Sequence, residues 1–372
     1  MKDRVSHIPS LDGLRAISFL LVFVAHAGLD DIVPGGLGVT IFFFLSGFLI
    51  ATLMRNEYEL SGRVNFQHFW LRRALRILPP FYLVLIGATL AAPLIEPSTP
   101  VRSAAFAARA LHFTNYWLIN RGNYGEPPGT GVYWSLAVEE HFYVVFPWIF
   151  VGLQRLRLSQ RSQAMTLWSI CIATLLWRVI LVSVFHVSTD RTYMGSDTRL
   201  DSIMFGCAIA VWLNPVIDHP RLNEGAWKRI YFPGALIVLL ACLLIRGNAF
   251  AFRETLRYSL QGAALTVLFI AAIRYHNWWP FRWLNWRPVA FLGVLSYSLY
   301  LLHFTVIIGV QGMLHAAPRF VQGLVVFAIS TALAWLMYIT VERPCARLRK
   351  RLHRESPPRL EGEAAAPAAG GQ

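Results

Sequence analysis

The sequence predicts an all-α membrane protein: a polytopic helical bundle of about ten transmembrane helices with both termini cytoplasmic. Three observations predict it. Of 372 residues, 56% are hydrophobic and 15% charged, and the mean hydropathy is +0.48, too oily for a water-soluble domain of this length. Apolar windows long enough to cross a bilayer recur from residue 12 to residue 341. The basic residues, 31 of 34 being arginine, gather in short stretches between alternate windows. A net charge of +14 on a soluble chain would suggest a nucleic-acid partner. Placed between apolar segments it marks topology instead, so the expected partner is the lipid bilayer and no nucleic acid.

The windows fall at 12–29, 37–54, 77–95, 132–152, 164–186, 199–214, 230–246, 256–274, 288–314 and 320–341. The first contains "LDGLRAISFLLVFVAHAG", where Ala25-His26-Ala27 imitates a leader-cleavage site. Asp12 and Arg15 break its apolar run and nine more segments follow, so the helix is expected to be retained. The second follows "DIVPGG", and its Ser46-Gly47 pair permits close helix packing. The third is entered through "FWLRRALRILPPFY", which carries Arg72, Arg73 and Arg76. A weaker stretch, 104–119, is interrupted by Arg109 and His112. Ten crossings place 23 Lys and Arg on the side of both termini and 9 on the other, whereas an eleventh at 104–119 gives 14 and 17. The stretch is therefore interfacial or re-entrant on the outer side. "NYGEPPGTG" (123–131) is then a rigid outer loop delivering the chain to the fourth segment, "GVYWSLAVEEHFYVVFP". The later segments carry Arg178 (fifth), "TRLDSIMFG" at the start of the sixth, and "FLGVLSYSLYLLHFTVI" in the ninth. The tenth closes on "VERP". Residues 1–344 are thus expected to form one membrane domain, and 345–372 a basic, then Ala/Pro/Gly-rich disordered cytoplasmic tail. Of the four cysteines, Cys171, Cys207 and Cys242 sit in apolar segments without metal-ligand spacing, so no metal is expected.

Ionisable groups within spans are costly and need a partner or a task. Arg15 and His26 are eleven residues apart, three helical turns, and share one face about 16 Å apart along the axis. Helical rise puts Glu139 and Glu140 at roughly the depth of His26, with His303 and Arg178 at a similar level. That agreement suggests an enclosed polar cavity opening toward the outer leaflet. Arg73 and Arg76, one turn apart, are either a topology signal or a phosphate clamp, since guanidinium forks bind phosphate bidentately.

Taken in order, "LDGLRA…H", "GVTIFFFLSGFLI", "RRALRILPPFY", "YWSLAVEEHFY", "TRLDSIMFG", "SYSLYLLHF" and "VERP" resemble the acyltransferase-3 family of integral-membrane acyltransferases over about residues 8–344. The resemblance implies an O-acyltransferase of the bacterial inner membrane. It would move an acyl group, usually acetyl, from cytoplasmic acyl-CoA to a hydroxyl of an extracytoplasmic glycan such as lipopolysaccharide, or a related acceptor. It makes His26 the helix-1 histidine and Arg15 its partner, Arg73 and Arg76 the Arg-x-x-Arg pair, and Glu139 the first glutamate of the WSL-x-x-E pattern. Some relatives add an extracytoplasmic hydrolase-like domain, whose function is expected here to be absent or supplied by another protein. On this reading Arg73, Arg76 and Arg15 hold the donor's phosphates while the thioester reaches His26. His26 acts as general base or acyl carrier, oriented by Glu139. The alternative class is a secondary transporter or flippase for a glycan or glycolipid, which would also bury charges in ten spans.

Overall fold

The structure is a computed structural model describing residue 8 and residues 10–219, 223–245 and 250–354. The Ala/Pro/Gly-rich end of the expected tail lies outside the described residues. Helix α1 (Leu11–Val24) runs on through a π turn (Ala25–Leu29), followed by α2 (Gly35–Ser61) and α3 (Phe66–Ile95). Two eight-residue helices come next, α4 (Ser103–Ala110) and α5 (Thr114–Arg121), so the weak stretch does not cross, as expected. A 3₁₀ turn (Thr130–Tyr133) leads into α6 (Trp134–Arg155), then α7 (Gln160–Ser183), α8 (Thr189–Met194) and α9 (Ser196–Val211). The short α10 (Glu224–Ala226) continues through a π turn into α11 (Phe232–Leu244), with α12 (Phe250–Glu254) and α13 (Leu256–Arg274) beyond it. Finally come α14 (Arg287–Met313), α15 (Arg319–Met337) and, across another π turn (Tyr338–Glu342), α16 (Arg343–Arg354), which makes the basic run helical. There is no strand among the described residues.

Nine described helices are long and apolar enough to cross a membrane: Leu11–Leu29, Gly35–Ser61, Phe66–Ile95, Thr130–Arg155, Gln160–Ser183, Glu224–Leu244, Leu256–Arg274, Arg287–Met313 and Arg319–Arg349. The protein is therefore an integral, multi-pass membrane protein. The expected all-α bundle of about ten helices is present, and within it the segment at 199–214 falls short of lipid length. That segment is α9, sixteen residues and about 24 Å long, against a hydrocarbon core of about 30 Å. The physical reason is its position. α9 packs between α2, α7 and α13, and most of its side chains are buried, so protein rather than lipid sets its length. Glycines allow the approach. A Cβ on Gly47 would meet the Ile203 carbonyl oxygen at 2.1 Å, and one on Gly206 would meet that of Phe44 at 2.1 Å.

Polar ties show which helix ends lie together. Ser10, just before α1, donates its backbone N–H to Asn285 Oδ1 (2.7 Å) ahead of α14, and Arg55 near the end of α2 pairs with Asp218 beyond α9 (2.6 Å). These mark one end of the bundle, the Arg15 end. At the other, the His26 end, Arg109 is fully buried and pairs with Glu126, while its Nε–H donates to Thr130 Oγ1 (3.2 Å). That pair fastens α4 to the loop feeding α6.

Candidate active site

Helices α1, α2, α3, α6 and α14 surround a cavity of about 100 Å³. The four-residue repeat of a helix face explains the contribution of α6: Ser135, Glu139 and Tyr143 follow one another down one side, with Glu140 beside them. Arg15 enters from α1, Ser46 from α2, Arg73 and Arg76 from α3, and Tyr297 and Tyr300 from α14. Arg15, Arg73 and Arg76, which the sequence groups, all line this cavity, and Glu139, expected beside His26, lies with them instead.

The groups at this site divide into paired and unpaired. Tyr143 donates its hydroxyl to Glu139 Oε2 (2.7 Å), so the Ser46 hydroxyl, 2.6 Å away, donates to the Tyr143 oxygen. Arg15 pairs with Asp12 one turn earlier (3.1 Å). Arg73 lies over the Tyr143 ring, 5.2 Å from its centroid. Among the described residues neither Arg73 nor Arg76 has a carboxylate within ion-pair distance. Two guanidiniums thus line the cavity without a direct ion pair, sharing it with Glu139 and Glu140, an arrangement that leaves their hydrogen-bond donors available to an anionic group.

His26 lies elsewhere. It stands on the π turn that ends α1, and π turns occur often at functional sites. Its Nδ1 is 3.0 Å from Nε2 of the fully buried His303 of α14, with the two rings within 7° of parallel. The approach of α14 to α1 depends on Gly293, where a Cβ would come 1.8 Å from the Asp12 carbonyl oxygen. His303 Nδ1 is 2.8 Å from the Tyr300 carbonyl oxygen, which can only accept. The proton of His303 therefore sits on Nδ1 and leaves Nε2 as acceptor, so the N–H facing it belongs to His26 Nδ1. Phe19, Phe23 and Phe304 pack around the two rings.

Three expectations are corrected by this geometry. Glu139 does not orient His26; it is held by Tyr143 in the cavity, and His303 is the partner of His26. The cavity lining runs as far as Val39 and Tyr300 but includes neither histidine, because Phe19 and Val22 fill the stretch of α1 between Arg15 and His26. Arg178 joins neither the cavity lining nor the histidine pair. Its two terminal nitrogens fork onto the carboxylate of Asp201 (2.9 and 2.6 Å), and Ser259 joins both, wholly inside the α7–α9–α13 packing. The sequence reading put His303 near the depth of His26 without pairing them, took Ser46 only as a packing residue, and did not single out Tyr143. The spacing Ser296, Tyr300, His303 at i, i+4 and i+7 was the available signal for a polar face on α14.

Comparison with known proteins agrees with this architecture. The chain is 30% identical over 356 residues to "Putative peptidoglycan O-acetyltransferase YrhL" of Bacillus subtilis, covering 91% of this chain and 55% of that protein. It is 26% identical over 352 residues to "Peptidoglycan O-acetyltransferase OatA" of Listeria monocytogenes, covering 91% and 56%. It is 30% identical over 315 residues to "Putative O-acetyltransferase SACOL0978" of Staphylococcus aureus, covering 82% and 51%. The chain spans about half the length of these curated relatives. No solved structure matches it. The acyltransferase-domain family matches residues 8–339, nearly the whole membrane bundle, and the chain belongs to that family, acyltransferase-3.

Proposed function

We propose that this protein is a membrane O-acyltransferase of the bacterial cytoplasmic membrane. It transfers an acyl group, acetyl in the simplest case, from cytoplasmic acyl-CoA to a hydroxyl of an extracytoplasmic glycan. The observation that carries the reading is the separation of two chemistries along α1 and α14. An arginine-lined cavity lies toward one end of the bundle, and a histidine pair lies beyond Tyr300 toward the other. Arg73 and Arg76, which make no direct ion pair, suit the phosphates of the donor, and Arg15 extends the same positive wall. Glu139, fixed by Tyr143, balances the Arg73 side of the cavity. His26 takes the hydroxyl proton of the acceptor as general base or carries the acyl group itself. Two of the relatives are named as peptidoglycan O-acetyltransferases, which makes peptidoglycan the first acceptor to test.

The full-length protein in lipid nanodiscs is to be supplied with acetyl-CoA and soluble peptidoglycan fragments. The expected result is release of free CoA that depends on the fragments, with acetyl found on them by mass spectrometry. Replacing Arg73 and Arg76 together by Ala should raise the apparent KM for acetyl-CoA, and Lys should restore it only in part. Donor kinetics unchanged in a well-folded double variant would reduce the pair to a topology signal. No CoA release, together with glycan movement across vesicles, would favour a transporter.

A further inference from the structure

We infer that His303 is the positioning residue for His26: it locks the imidazole in the Nδ1–H form and so makes Nε2 the reacting atom. The inference rests on the proposed transfer reaction and adds a residue and an atom to it. The chain of contacts has one direction. The Tyr300 carbonyl accepts from His303 Nδ1–H at 2.8 Å, and His303 Nε2 accepts from His26 Nδ1–H at 3.0 Å. That leaves His26 Nε2 as the nitrogen with a free lone pair. A second carbonyl, Leu299, lies 3.2 Å from the same His303 nitrogen, so both nearby acceptors hold the proton on Nδ1. His303 is fully buried between Phe19 and Phe23, which keeps its ring from turning over. His26 packs at a tilt against Phe304 with centroids 4.9 Å apart, which restrains the second ring.

The role follows from the chemistry. As the acceptor oxygen attacks the thioester carbonyl carbon, its proton passes to His26 Nε2 and the new C–O bond forms. Collapse of the tetrahedral intermediate breaks the C–S bond, and the CoA sulfur takes that proton from Nε2, returning His26 to its starting form. Between these steps His26 is an imidazolium whose Nδ1–H points at the lone pair of His303. A hydrogen bond to a charged donor is roughly twice as strong as a neutral one, so the contact tightens at the moment charge develops. A neutral imidazole does here, by orientation and polarity, what a carboxylate does in other histidine pairs. It avoids holding a second ion in the apolar packing of Phe19 and Phe23.

The test uses three variants of the full-length protein in nanodiscs. His303→Leu removes the acceptor and should lower kcat for acetyl transfer by about 10²-fold, leaving KM for acetyl-CoA within about twofold. His303→Gln keeps a carbonyl oxygen near the position of Nε2 and should stay within about tenfold of the parent. His26→Gln marks the floor of activity. Nitrogen-15 NMR of histidine-labelled protein gives a readout that a merely structural role would not move. The parent should show His26 protonated at Nδ1, and His303→Leu should shift it toward the Nε2–H form. A parent His26 already protonated at Nε2 overturns the inference. So does a His303→Leu protein with kcat within about threefold of the parent. If the parent releases no CoA with any acceptor, the transfer reading fails as well, and the NMR result shows whether the tautomer assignment fails with it.

Discussion

His26 sits where an apolar helix loosens into a π turn, half-buried and in contact with one polar side chain, His303. A residue kept there for packing would tolerate loss of its chemistry better than loss of its shape. We expect the reverse. His26→Gln should reduce acyl transfer by at least about 10²-fold, the scale of lost acid–base catalysis, while insertion and yield in membrane fractions stay normal. Near-normal turnover in a stably inserted variant would leave Arg15 and His26 as a structural stripe. The spacing of these two was legible because helical rise converts residue number into depth. The identity of His26's partner was not legible for the same reason. Glu139 and His303 come out at similar depths, but depth says nothing about direction around the bundle. That direction is set by Gly293, which lets α14 close on α1, and by Tyr143, which holds Glu139 in the cavity.

Among the elements, α9 departs furthest from what hydropathy alone implies. It carries Asp197, Arg199 and Asp201 within its first six residues, yet most of it is buried. The carboxylate of Asp201 and the guanidinium of Arg178 satisfy each other with no exposed surface on either side. Breaking such a pair from one side strands a buried charge, at a cost of about 3–5 kcal/mol. Asp201→Ala should therefore lower the melting temperature in detergent sharply, whereas the double replacement Arg178→Met with Asp201→Leu should recover most of the loss. Equal losses in the single and double variants would show that packing rather than charge holds α7 to α9. The sequence displayed Arg178 and "TRLDS" as separate oddities, because 23 residues of chain separate partners that two antiparallel helices bring together.

At the scale of the molecule, the nine lipid-length helices among the described residues and the short α9 run alternately, which returns α15 and α16 to the end where α1 begins. From the count of basic residues we propose that this end faces the cytoplasm. Labelling with an impermeant thiol reagent checks it, and the site matters. Thr130 is fully buried under Arg109, whereas Tyr124 in the same connection is 56% exposed. Tyr124→Cys should label in intact cells or spheroplasts, and labelling only after permeabilisation would invert the topology. With that orientation, the closure of the cavity at Tyr300 and Phe42, whose rings meet edge to face at 5.9 Å, takes on a bioenergetic meaning. An arginine-lined chamber on one face and a histidine pair toward the other would, if joined by a file of water, conduct protons down the membrane potential. On the proposed reaction, the aromatic rings between them would keep the bilayer insulating while acyl groups pass a membrane that stays charged.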